Sequence, residues 1–168
     1  HIAGNITLEQ AVEALKPLEE EWIPKEVILK NYPAPPAPEK SQIYFRDIPG
    51  SQQSVIYIGY PAISRDNPDY VRTDFINYRL GGAFTSILNQ ILREQKGFTY
   101  GARSMFQGSK SIAPFLATAS VRSDATLESV TIFRNEMEKY REGIPEEEVQ
   151  FIRNAMIRSN ALRFETNQ

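Results

Sequence analysis

The sequence predicts an α+β fold, a mainly antiparallel sheet with helices packed on one face. Three features of the 168 residues point there: two pairs of strand-like runs, helical stretches that come in pairs between and after them, and no strand-helix alternation of the kind that builds a parallel sheet. With 41% hydrophobic and 11% aromatic residues the chain can bury one core. We therefore read residues 1–168 as a single α+β domain. It opens on His-Ile-Ala-Gly and closes in mid-pattern on residues 163–168, which leads us to expect a fragment of a longer multi-domain protein.

A strand end is expected at Ile2-Ala3. The first helix follows at Thr7, whose hydroxyl can cap it, with Gln10 three residues on in capping-box position. Leu8, Val12, Leu15, Leu18 and Trp22 recur at helical spacing. Pro17 lacks an amide hydrogen and crowds the preceding turn, so a kink or restart is expected there, and the helix should end by Pro24. Asn31 to Glu39 is too rich in proline for ladder bonding and reads as an extended, solvated connector. Gln42–Ile48 and Gln53–Tyr60 are strand-like and flank Pro49-Gly50-Ser51, a turn signature, so they are expected to pair as a hairpin.

Asp69 to Leu80 reads as a helix stopped by Gly81-Gly82. Phe84, Ile87, Leu88, Ile91 and Leu92 mark a second amphipathic helix, ended by Gly97. Phe98–Phe106 and Pro114–Val121 alternate as strands around a polar segment containing Gly108, Ser109 and Lys110, which predicts a second hairpin. Leu127, Val130, Phe133, Met137 and Tyr140 give another helix. After Gly143, Pro145 and Glu146–Glu148 suit the first turn of the last one.

Composition excludes several functions. The net charge of -2 supplies no basic surplus for counterion release, which argues against a nucleic-acid partner. The absence of cysteine removes disulfides, thiolate nucleophiles and cysteine zinc sites. No apolar run reaches the roughly 18 residues of a membrane span, so we expect a soluble segment, with the bacterial periplasm and the cytoplasm both open as compartments. The one histidine is His1, and neither H-E-x-x-H nor the inverted H-x-x-E-H occurs, so no metal ligands are assigned in this chain. The glutamates at 19–21 and 146–148 are consecutive, point around their helices, and read as solvated faces.

The informative segment is Leu80 to Ala102, LGGAFTSILNQILREQKGFTYGA, in which two glycines, an amphipathic helix and a further glycine turn lead into a strand. Gly81 and Gly82 permit close backbone approach, and Gly97 permits a left-handed cap. Arg93 and Tyr100 then fall near one helix end, where a guanidinium and a phenol can grip a peptide carbonyl or an oxyanion. Local chemistry leaves a second reading open, in which Arg93 pairs with acids and Tyr100 packs.

The same segment, continued to Ser104, resembles the signature LGGxFxSRLxxxLREKxGxTYGxxS of the second, inactive domain of insulinase-type (pitrilysin) zinc peptidases. It reads Leu80-Gly81-Gly82-Ala83-Phe84-Thr85-Ser86-Ile87-Leu88, then Leu92-Arg93-Glu94-Gln95-Lys96-Gly97-Phe98-Thr99-Tyr100-Gly101. Further agreement lies at Ala3–Thr7, Gln53–Ile56, Val121–Thr126 and Gly143–Glu148. Ile87 stands where many members have arginine and fits the apolar stripe of its helix; Gln95 replaces a common lysine.

The resemblance implies the fold of the mitochondrial-processing-peptidase and insulinase-like metallohydrolases and a composite site. Zinc would belong to a catalytic domain or subunit of the same family. This chain, inactive alone, would bind an extended peptide substrate opposite it. Arg93 would hold backbone carbonyls and Tyr100 would stabilise the oxyanion, with Gly81, Gly82, Phe84 and Gly97 as structural parts of the motif. An assembly domain of the same fold without a peptidase role, or an unrelated interaction domain, are the alternatives.

Overall fold

The computed structural model describes residues 1–28, 30 and 33–162. Asn31 and Tyr32, at the start of the expected connector, lie outside the described residues; Pro33 to Glu39 carries no helix or strand. By its contacts the chain divides into two compact units, one formed by residues 1–31 with 155–168 and the other by residues 32–154.

The first unit contains helix α1 (Leu8–Glu21). The capping box forms as the sequence predicts: Gln10 N–H donates to Thr7 Oγ1 at 3.2 Å, and Thr7 N–H donates to Gln10 Oε1 at 3.0 Å. Pro17 does not divide the helix, which runs on to the Trp22 N–H bonded to Leu18 O at 2.9 Å. Ile2 and Ala3 form no strand.

The second unit is built on three strands, β1 (Gln53–Pro61), β2 (Thr99–Phe106) and β3 (Pro114–Arg122), in the order β1-β3-β2 and wholly antiparallel. The predicted hairpin of β2 and β3 is present. The predicted pairing of Gln42–Ile48 with β1 is not: that stretch forms no strand, and Ile43, Tyr44 and Phe45 are exposed. The turn itself forms, with Ser51 N–H on Ile48 O at 3.1 Å and Gly50 at φ +78°. Yet β1 pairs with β3 along nine residues, from Gln53↔Arg122 to Pro61↔Pro114. The distant partner wins because it brings a buried face with it: Phe115, Ala117, Ala119 and Val121 of β3 all face one side.

Between β1 and β2 run α2 (Tyr70–Asn77) and α3 (Ile87–Asn89), each continued by a π-helical turn, Tyr78–Gly82 and Gln90–Gln95 respectively. After β3 come a 3-10 turn (Ser123–Ala125), α4 (Thr126–Arg141) and α5 (Glu146–Leu162), the last beginning in this unit. The inner sheet face carries Ile56, Ala102 and the four β3 residues, and these pack with Leu80, Leu88, Leu92 and Phe133. Three alanines in that set keep the face low, so helical side chains fill the space above it. The opposite face holds Val55 and Tyr57 of β1, both exposed, in register with Ser120 and Thr118 of β3.

Glu148 departs from the solvated face expected for residues 146–148. Arg79 Nε donates to its Oε2 at 2.7 Å and Nη2 to its Oε1 at 3.0 Å, and the two side chains are only 15% and 30% exposed. Arg79 also donates to Thr85 O at 2.6 Å, so one guanidinium joins the π-helical turn after α2, the following loop and α5.

Tyr140 donates to Ile76 O at 2.7 Å, and its phenol is pushed up to about 12, first by burial and then by the nearby Glu148 carboxylate, against a smaller opposite effect of Arg79. The folded value exceeds the ordinary phenol value of about 10, so the protonated hydroxyl favours the fold fully below that pH. This contribution is lost as pH rises through 12. The expected result is that the stability difference between wild type and Tyr140→Phe, measured by urea unfolding, shrinks between about pH 10 and 12. A difference constant over that window would count against the coupling.

Candidate functional site

The expected site residues lie around the junction of α3 and β2. The π-helical turn after α3 ends with Lys96 N–H on Ile91 O at 3.0 Å, a bond five residues back, and the chain then reverses at Gly97, φ +63°. An L side chain rarely adopts that conformation, which explains the glycine. Gly97 N–H donates to Arg93 O at 3.1 Å and Phe98 N–H to Leu92 O at 2.8 Å, tying the last helical turn to the strand that follows.

Arg93 lies in that last turn, with its guanidinium carbon 4.3 Å from the centre of the Phe84 ring and Nη1 3.0 Å from Glu94 Oε1. The carboxylate is 61% exposed, so the ion pair contributes little, whereas the ring face attracts the cation that lies over it. Phe84 is therefore not part of the buried helical stripe in which the sequence placed it. It precedes α3 and is 68% exposed beneath Arg93.

Tyr100 is the second residue of β2 and is 93% exposed. Among the described residues its hydroxyl makes no hydrogen bond. The backbone beneath it is fixed nonetheless. Between Thr99 and Ala102 the register with β3 shifts, and Thr99 Oγ1 donates to Ser120 O at 2.6 Å while accepting from Gly101 N–H at 3.1 Å. An irregularity of this kind interrupts pairing and re-aims a side chain.

The glycine pair works by close approach. A Cβ on Gly81 would stand 2.4 Å from Ser104 Oγ and 2.5 Å from Ser104 N, so the π-helical turn after α2 lies directly against β2. Two buried asparagines that the sequence reading missed complete the junction. Asn77 Nδ2 donates to Ser104 O at 2.7 Å and its Oδ1 accepts from the Ser104 hydroxyl; Asn89 Oδ1 accepts from Ala102 N–H at 2.7 Å. The readable signal for Asn89 was an amide set beside Leu88 and Leu92 in an otherwise apolar stripe.

Among the described residues no three His, Cys, Asp or Glu side chains are grouped to hold a metal ion. The donor set does not fit zinc, and no step of the chemistry is assigned to a metal in this chain. No helix of the described residues is long and apolar enough to cross a membrane.

The family model of the peptidase M16 inactive domain matches residues 1–156. The chain belongs to that family. Solved structures share its fold. The peptidase M16 inactive domain from Pseudomonas fluorescens superposes with a TM-score of 0.74 at 25% identity, over 94% of this chain and 38% of that one. A protease from Helicobacter pylori gives 0.73 at 18% identity, over 98% and 41%, and a conserved protein from Enterococcus faecalis gives 0.57 at 20%, over 68% and 27%. None of the curated proteins matches the sequence. The chain thus spans about two fifths of the first two structures it matches. The resemblance carried by Leu80 to Ser104 and the α+β fold it implied are both borne out: this is an insulinase-like metallopeptidase inactive domain.

Proposed function

We propose that this chain is the non-catalytic, substrate-positioning half of a zinc endopeptidase, and that peptide bonds are hydrolysed only by the complete assembly. Zinc would belong to a catalytic domain or subunit of the same family. The observation that carries the reading is Tyr100, a large exposed aromatic whose hydroxyl has no partner among the described residues, held out on backbone that three hydrogen bonds secure. A packing tyrosine would bury its ring and satisfy its hydroxyl.

Arg93, lying over the Phe84 ring, supplies charge-assisted donors for backbone carbonyls, and the Tyr100 hydroxyl supplies a donor for the oxygen that gains charge as the peptide bond is attacked. The open sheet face adds room for an extended peptide, with Tyr57, Thr118 and Arg103 aligned across the three strands and Val55 beside them. Contacts to a peptide backbone select for extension rather than sequence.

The test is hydrolysis of a fluorogenic peptide by this chain, by the intact protein, and by this chain with its histidine-bearing partner, each with and without a chelator. Chelator-sensitive activity should be confined to the complete assembly. There, Arg93→Ala should raise KM about tenfold, in keeping with the loss of a charged hydrogen bond worth roughly 1.5–3 kcal/mol. Zinc-dependent turnover by this chain alone would overturn the reading, and inactivity of every combination would favour an assembly role.

A further inference from the structure

Arg93 and Tyr100 stand on different pieces of backbone, and one buried side chain joins both. Asn89 is 6% exposed and lies one helical turn before Arg93. Its Nδ2 donates to Phe84 O at 3.1 Å, and its Oδ1 accepts from Ala102 N–H at 2.7 Å. Phe84 is the ring beneath the Arg93 guanidinium, and Ala102 is the residue at which β2 regains its register with β3 after Tyr100 and Gly101.

Leu88 and Leu92, on either side in the same stripe, are fully buried. An amide among them costs desolvation that leucine would avoid, unless both ends are bonded. Packing alone therefore does not account for asparagine here. A group with one donor and one acceptor, directed at two separate segments, does.

We propose that Asn89 is a positioning residue that sets the ring beneath Arg93 and the strand carrying Tyr100 relative to each other. This rests on the substrate-positioning reading above. It makes the spacing of two carbonyl-binding groups a property of one side chain rather than of two independent loops.

The test is a double-mutant cycle on kcat/KM in the intact protein, with Asn89→Leu, Tyr100→Phe and their combination. Asn89→Leu keeps the branching at Cγ while removing both hydrogen bonds, and should lower kcat/KM by about tenfold or more, because small misplacements of binding groups are costly. In the Tyr100→Phe background that loss should shrink at least about threefold, since the group being positioned is already gone. An equal loss in both backgrounds would show a merely structural role and overturn the inference.

Should the leucine variant not fold, Asn89→Asp, which keeps the acceptor for Ala102 N–H, enters the same cycle. Hydrogen exchange on the wild type is independent of both variants: Ala102 N–H should be protected, and exchange at the rate of a free amide would also overturn the inference. If Tyr100→Phe and Arg93→Ala are both silent, the substrate-positioning reading itself fails. If they are not, and Asn89→Leu is silent, only the role of Asn89 falls.

Discussion

Gly81→Ala is expected to destabilise the protein by about 3 kcal/mol, at the upper end of what overpacking costs. The new methyl would need to lie 2.5 Å from Ser104 N, a backbone atom, and 2.4 Å from Ser104 Oγ. Neither can retreat easily. Ser104 is paired with Ala117 in the central strand, and its hydroxyl and carbonyl are both engaged by Asn77. Relief must come from the π-helical turn backing away from the sheet, which loosens Leu80 in the core as well. Urea unfolding of the variant checks this; an unchanged midpoint would mean that the turn and β2 do not touch as described.

Phe133→Ala should cost about 3–5 kcal/mol, the range for deleting a buried aromatic ring. Among the described residues Phe133 is the largest fully buried side chain, and it is the fully buried contribution of α4 to the cluster on the inner sheet face, where Ile132, Met137 and Tyr140 pack around it partly buried. Its neighbours there include Ala117 and Ala119 of β3, whose short side chains cannot extend into the space left behind. Leu127, on the same helix but 81% exposed, gives the control: Leu127→Ala should stay within about 0.5 kcal/mol of wild type. Similar losses at both positions would place the core elsewhere.

Much of this architecture was legible because its signals are local. The capping box at Thr7, the glycine reversal at Gly97 and the alternation of β2 and β3 each depend on a few adjacent residues, and each is realised. Gln42–Ile48 shows the limit. Its composition suits a strand, but β1 pairs with β3 some sixty positions away, and no short window contains that preference. The same holds for both π-helical turns, whose extra residue per turn answers to how the helices meet β2 rather than to the side chains within them.

For the candidate site the motif drew attention to the junction of α3 and β2, and helical periodicity misplaced one of its side chains. Phe84 shares the helical spacing of Leu88 and Leu92, so periodicity drew it inward, whereas Phe84 and Thr85 form a turn closed by Ser86 N–H on Ala83 O at 3.0 Å, which leaves the ring outside, under Arg93. Glu148 was misread in the opposite direction, because its partner Arg79 is distant in sequence. The asparagines carried a signal in their polarity at apolar positions, but their partners are backbone groups that no residue pattern reveals.

The central claim is that this inactive domain contributes Tyr100 to a peptide-cleaving site completed elsewhere. The most direct measurement compares kcat of the intact protein with that of Tyr100→Phe, which removes the exposed hydroxyl and nothing that packs. We expect kcat to fall about a hundredfold, as for the loss of one oxyanion donor, with the unfolding midpoint unchanged. An unaltered kcat would contradict the account.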